Sequence, residues 1–259
     1  MRIALGIEYN GQDFFGWQRQ INLTTVQACV EAALSQIAAS DIQVFCAGRT
    51  DAGVHAKEQV VHFDTTINRP MRAWTLGTNS YLPSTIAVQW AQVVPDEFHA
   101  RFSAQSRCYR YFIYNAKMRS AVWGAQSSWF YRPLDEKLMH QAGQDLLGEK
   151  DFTSFRATAC EAKSPIRTIH HLKVTRQGDL IMVEVQANAF LHHMVRNIVG
   201  VLLEIGSGRR PIEWLQQVLS AQDRQAAAVT APPTGLYLYK VGYPRQYVFP
   251  DSVLSGLVL

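Results

Sequence analysis

The stretch Cys46-Ala-Gly-Arg-Thr-Asp-Ala-Gly-Val-His-Ala56 decides how the chain is read. Ile42, Val44 and Cys46 alternate into it, and Val60, Val61 and Phe63 lead out, so it joins two strands. Gly48 and Gly53 bracket Arg49, Thr50 and Asp51. Glycine permits positive φ and close backbone approach, so such a loop can turn its interior side chains outward. Arg49 and Asp51 stand close enough in sequence to pair, which would hold the carboxylate ionised. An ionised, positioned aspartate suits attack on a sugar carbon, or proton removal beside it. Asp51-Ala52-Gly53 reads equally as a plain turn with aspartate bonding its own backbone.

Upstream, Ile3, Leu5, Ile7 and Tyr9 alternate as a strand closed by Asn10-Gly11. The aromatics of the loop carrying Phe14, Phe15 and Trp17 either stack on bases or, as is commoner for such residues, pack over that strand end. Thr24-x-x-Gln27 has the form of a capping box, ahead of a helical face made by Val26, Val30, Leu34 and Ile37. Downstream, Pro70 opens a helix over 70–80, and Ile86, Val88, Trp90, Val93 and Val94 make a strand. The order is β-α-β-β-α-β, the ferredoxin-like plan, in an α+β fold with mainly antiparallel pairing.

A second set follows the linker Pro95–Phe102. It comprises a strand over 105–115, a helix capped by Asp135, a hairpin (169–174 with 180–185), an apolar helix from Leu191 to Ile205, a helix from Pro211, and a strand at 235–241. That is the same plan with one added helix, and the expected division is 1–104, 105–245 and a tail, 246–259. The second set closes its middle strands by a tight turn, Gln177-Gly178-Asp179. The first uses about ten residues there, and a loop lengthened in one copy marks a candidate site.

Composition sets limits. Apolar content of 47% against 18% charged is globular rather than disordered. No apolar run approaches the ~20 residues a membrane helix needs, and Glu8 falls where a signal peptide stays apolar, so a cytoplasmic protein is expected. Net charge of +4 barely favours an anionic partner; 18 Arg against 7 Lys suits phosphate and flat-ring contact, or reflects composition bias alone. Cys29, Cys46, Cys108 and Cys160 are widely spaced and read as buried free thiols, not as zinc ligands or a disulfide framework.

Arg107, Tyr109 and Tyr111 share one strand face, with Arg110 on the other; the face either holds RNA bases or lies half-buried under a helix. The aromatics of Asp151-Phe-Thr-Ser-Phe-Arg156 read as packing. His192 and Arg196 are four apart on the apolar helix, where an arginine either reaches solvent or meets an anion such as Asp51. The adjacent His pairs at 170–171 and 192–193 do not share a face, which argues against a metal site.

Gly48-Arg-Thr-Asp-Ala-Gly-Val-His55 resembles the signature loop of the tRNA pseudouridine synthase A (TruA) family. Gly16-Trp-Gln-Arg-Gln20, Phe98-His-Ala-Arg-Phe102, Tyr109-Arg-Tyr111, Asp151-Phe-Thr-Ser-Phe155 and Phe190-Leu-His-His-Met-Val-Arg-Asn197 resemble further blocks of that family, in its order. The resemblance spans residues 2 to 244. It implies a homodimer that converts uridine to pseudouridine at positions 38 to 40 of the tRNA anticodon stem-loop, in a cleft between two ferredoxin-like halves whose sheets join. It also implies that Asp51 is catalytic, that Tyr109 contacts substrate, and that Arg49 and Arg196 sit around the aspartate and the flipped nucleotide. Cys108 departs from the polar or basic residue common before that tyrosine. The implied isomerisation needs no cofactor, because the base leaves and rejoins the same sugar. Asp51 would attack C1′ or remove a C2′ proton. A non-catalytic RNA-binding protein and a metal-dependent nuclease are the rival readings; the first would be expected to lack Asp51, and the second needs several converging carboxylates.

Overall fold

The computed structural model describes residues 1–160 and 162–250. They fall into two compact units: the first runs from Met1 to Gln105 and resumes at Leu238, and the second is Ser106–Tyr237. The expected second half reached 245, whereas the chain from Leu238 onward groups with the first unit.

The first unit holds β1 (Arg2–Tyr9), α1 (Val26–Ala38), β2 (Phe45–Cys46), β3 (His55–Asp64) and β4 (Ile86–Val94). β1 lies between β3 and β4, β2 pairs with β3, and each of these pairings is antiparallel. That is the expected ferredoxin-like order. Direct partners Ile3↔Phe63 and Leu5↔Val61 share a face, and all four side chains are fully buried. Val30 and Leu34 of α1 are fully buried too. Burial of such side chains contributes roughly 1.5–3 kcal/mol each.

Two local expectations are corrected, and a third, a helix, is met with a different winding. The capping box does not form: Thr25 is the N-cap and its side chain caps nothing, while Gln27 Nε2 donates to Glu31 Oε1 (3.0 Å) and Gln27 Oε1 accepts from Arg19 N (3.0 Å). The strand expected from Ile42 shrinks to Phe45–Cys46, because the Val44 N–H donates to Glu31 Oε1 (3.0 Å) and that of Ile42 to Ser35 Oγ (2.9 Å), not to a ladder. The helix expected over 70–80 is wound as a π-helix across Ala73–Gly77, with Thr78 N donating to Ala73 O five residues back.

The second unit holds β5 (Ser106–Tyr114), β6 (Ser128–Trp129), α2 (Glu136–Gln144), β7 (Gly148–Asp151), β8 (Ile166–Gln177), β9 (Leu180–Ala187), α3 (Met194–Gly206) and α4 (Trp214–Ala221). Its strands run β5-β9-β8-β7, antiparallel throughout, with β6 parallel to β5 at the side. Asp135 caps α2 as expected, accepting from Lys137 N (2.8 Å) and Leu138 N (3.1 Å). β6 and β7 are short and carry too little alternation to be read from sequence. Phe152 and Phe155 are buried as expected, and Asn197 Nδ2 donates to the Phe155 carbonyl (2.7 Å). β10 (Leu236–Gly242) carries the chain from the second unit back to the first.

The described part of the expected tail is packed. Phe249 stacks on Trp90 (4.9 Å), Tyr247 and Phe249 meet Phe98 edge-on (5.0 and 5.5 Å), and Gln92 Nε2 donates to Val248 O (3.0 Å). Residues 251–259 lie outside the described residues. All four cysteines are free thiols, half-buried rather than buried. Among the described residues no helix is long and apolar enough to cross a membrane.

Candidate functional site

The loop between β2 and β3 is held mostly by residues outside it. Trp17 N donates to Thr50 O (3.0 Å), Gly53 N donates to Phe14 O (3.3 Å), and Tyr9 Oη bonds Thr50 Oγ1 (2.8 Å). Gln59 Nε2 donates to Gly48 O (2.6 Å), and Gly11 N donates to His55 Nδ1 (3.1 Å). Gly16 has φ +85°, and a Cβ there would stand 2.8 Å from Thr50 O and 3.0 Å from the Asp51 carbonyl carbon. Only glycine lets the 14–17 segment lie that close. Sequence reading placed Phe14–Trp17 over a strand end; Trp17 and Phe14 are indeed buried, but the segment's backbone also fixes the loop.

Asp51 is therefore half-buried on a fixed backbone, with Val54 N donating to its carbonyl (3.1 Å). Arg49 on the same loop is exposed and, among the described residues, forms no ion pair with Asp51. The expected pairing is corrected, and the cost is small, because an exposed pair contributes about 0–1 kcal/mol. Cys46, at the loop's entry, has its thiol pushed up to about 11 by burial, partly offset by the positive charges of Arg49 and Arg101.

In the second unit Tyr109 is 8% exposed and meets Phe190 edge-on (4.9 Å), while its backbone pairs opposite Val185. Its neighbour Tyr111 donates to Pro232 O (2.8 Å) and shares a hydrogen bond with the Ser128 hydroxyl (2.7 Å), and burial drives its hydroxyl pKa upward against the opposing pull of Ser128 and Arg196. Arg196 is half-buried in the first turn of α3, its Nε donating to Ala231 O (2.8 Å) while its own carbonyl accepts from Ala231 N (3.2 Å). The Nε hydrogen bond orients the side chain, and the backbone one holds Ala231 in place to receive it.

The expectation that the Phe190–Asn197 stretch begins the helix is corrected. α3 starts at Met194, since His193 sits at φ +61° and Met194 N closes a turn onto Leu191 O (3.0 Å). His192 is thus an exposed turn residue and shares no helix face with Arg196. Arg110, expected on the basic strand, pairs with Glu184 (2.7 Å), its direct cross-strand partner, which also faces His171 (3.2 Å). Gly16, Phe190 and Ala231 were missed as supporting residues. Gly16 and Phe190 stood in quoted blocks, but nothing local in the sequence says what each touches.

A family model described as tRNA pseudouridine synthase matches residues 6–103 and 142–244. Curated relatives named tRNA pseudouridine synthase A include one from Shewanella denitrificans, 58% identical over 100% of this chain and 99% of its own length. Others are from Histophilus somni (57%, 100% and 96%) and Haemophilus ducreyi (54%, 100% and 99%). A solved chain in a Cbf5-Nop10-Gar1 complex is a loose likeness, 10% identical with a TM-score of 0.39 over 91% of this chain and 57% of that one, and carries no argument. With the family model covering most of both units, and full-length relatives above half identity, the chain belongs to the tRNA pseudouridine synthase A family, isomerases that form pseudouridine in tRNA.

Proposed function

We propose that the chain isomerises uridine at positions 38 to 40 of the tRNA anticodon stem-loop, with Asp51 as the group that acts on the sugar. The observation that carries this is the loop itself: a half-buried aspartate on a backbone pinned from outside at Thr50 and Gly53. Such fixing holds a carboxylate where charge develops at C1′ and limits reorganisation during reaction.

The bond from uracil N1 to C1′ breaks and one from C5 to C1′ forms; the C5 hydrogen leaves and N1 gains a proton, so atoms and electrons balance without a co-reactant. Asp51 either attacks C1′ or removes the C2′ proton. Tyr109, its ring held by Phe190, places its hydroxyl against the substrate. Arg196, anchored through Nε on Ala231, and exposed Arg49 meet phosphate or the flipped nucleotide. The active protein is a homodimer working in the cytoplasm.

Pseudouridine mapping on tRNA transcripts, with and without chelator, tests the reading. Product confined to positions 38–40 and unaffected by chelator is expected. Product elsewhere would move the site, and loss under chelation would replace the carboxylate mechanism by a metal-dependent one.

A further inference from the structure

Four rings form a continuous series in the first unit. Phe45 stacks on His62 (5.1 Å, 23°), His62 meets His99 (4.6 Å), and His99 meets Phe102 (4.3 Å). The inner ring, His62, is 1% exposed, while the outer phenylalanines are open to solvent, Phe45 at 44% and Phe102 at 76%. Exposed phenylalanine is unfavourable by its lost transfer free energy, and two on one ring series make a continuous apolar surface rather than a scattered one, stepped where His62 and His99 meet at 62°. Neither touches the loop that carries Asp51 through any bond described above.

The series is rigid and uncharged. Ala100 N donates to His62 Nδ1 (3.1 Å), and Arg101 N and Phe102 N donate to His99 Nδ1 (3.1 and 3.3 Å), so each ring is fixed by backbone on the linker. Burial, then His99 and Arg2, pulls His62 down to about 4; burial, Arg2 and Arg101 lower His99. Near neutral pH both imidazoles are neutral, and buried His62 backs the series from within. The exposed Arg101 guanidinium lies over the Phe102 ring at 5.7 Å, putting a cation at the rim. Flat neutral rings edged by arginine suit a nucleobase on the face and a phosphate at the side.

We propose that the Phe45–His62–His99–Phe102 ledge stacks a nucleobase of the tRNA substrate other than the reacting uridine, with Arg101 meeting the adjoining phosphate. The ledge offers no carboxylate or hydroxyl for chemistry, so it contributes binding and register. This rests on tRNA being the substrate and not on which uridine is modified. The occupant is RNA rather than a second protein chain because the rim is cationic and the exposed rings are planar.

The test measures tRNA affinity at fixed salt, single-turnover rate at saturating tRNA, and mass in solution for Phe102→Ala, Phe102→Leu and Phe102→Trp beside the parent. Phe102→Ala should weaken tRNA binding by about 5- to 100-fold, the range for losing one base stack, with the saturated rate within about twofold. Phe102→Trp should restore binding and Phe102→Leu should not, because leucine keeps apolar volume without a flat face. Unchanged affinity in Phe102→Ala would overturn the proposal, as would full rescue by leucine. A change of oligomeric mass in Phe102→Ala would overturn it in favour of a contact between copies. A parent that makes no pseudouridine would instead sink the functional reading, which these binding ratios do not depend on.

Discussion

The loop between β2 and β3 and the hairpin between β8 and β9 occupy equivalent places in two like sheets. Gly178 turns the hairpin at φ +58°, and a Cβ there would meet nothing within 4 Å. The other loop is crowded: Gly16 lies against Thr50 and Asp51, and bonds from Phe14, Trp17, Tyr9 and Gln59 converge on it. A short turn is specified by its own ladder, Gln177↔Leu180, and has no room to present a group. A long one needs support from elsewhere in the chain, and with that support it can hold a carboxylate still.

The sharpest break of this comparison is Asp51→Asn. The amide keeps the shape and turn chemistry but removes charge and basicity, so turnover should fall by at least about three orders of magnitude while tRNA affinity changes little. Side-by-side binding and single-turnover assays decide it. Surviving turnover would reduce the loop to a turn like the hairpin's.

Tyr109→Phe asks whether the second unit contributes through its strand rather than its hairpin. The ring keeps its edge contact with Phe190, and only the hydroxyl is lost. Turnover should drop about 10²-fold with unchanged melting temperature. Near-normal turnover would assign the site to the ring alone.

Gly16→Ala probes the support itself. The added Cβ must displace Thr50–Ala52 or its own segment, and positive φ strains it further. A shift of roughly 1 Å at the loop should cost on the order of 10² in turnover, larger than any loss of tRNA affinity. Equal activity would mean the loop tolerates movement, as a plain turn does.

Smaller effects separate one strand beside each turn. β3 carries His62, buried and lowered to about 4, whereas β8 carries His171, half-buried and facing Glu184. The unfolded chain protonates His62 near its ordinary 6.5, so between about pH 6.5 and 4 the unfolded state binds more protons. Stability from this group is full above that window and is lost as pH falls through it, by roughly 1–3 kcal/mol. Urea midpoints at pH 7 and 5 should differ in the parent, and His62→Gln should flatten the difference. Least of all, Gly178→Ala should cost about 1 kcal/mol of stability from backbone strain and leave turnover intact.

Much of this is legible in the sequence. Alternation at Ile3–Tyr9 and Ile86–Val94 and the length asymmetry of the two turns are written in local periodicity, which backbone geometry alone decodes. Asp51 stood out because glycines flank it in a loop too long for its topology. The capping box was a reading of spacing that other partners overrode, the His192–Arg196 face fails because α3 starts only at Met194, and Arg49 makes no ion pair with Asp51 among the described residues. Gln27 bonds Glu31 and Arg19, and Glu31 also takes the Val44 N–H that β2 would have used.

The sequence by itself therefore determined the order and antiparallel plan of the strands, the family, and the loop we propose for the chemistry. Tertiary structure alone decided that residues 14–17 brace that loop, that α3 begins at Met194, that Arg110 is taken by Glu184, and that chain beyond Leu238 joins the first unit. The reason is range. Strand alternation is a property of neighbours and survives in one dimension, whereas a hydrogen-bond donor or a charge chooses among all acceptors the fold brings within about 3 Å. That choice is made only once distant segments have packed.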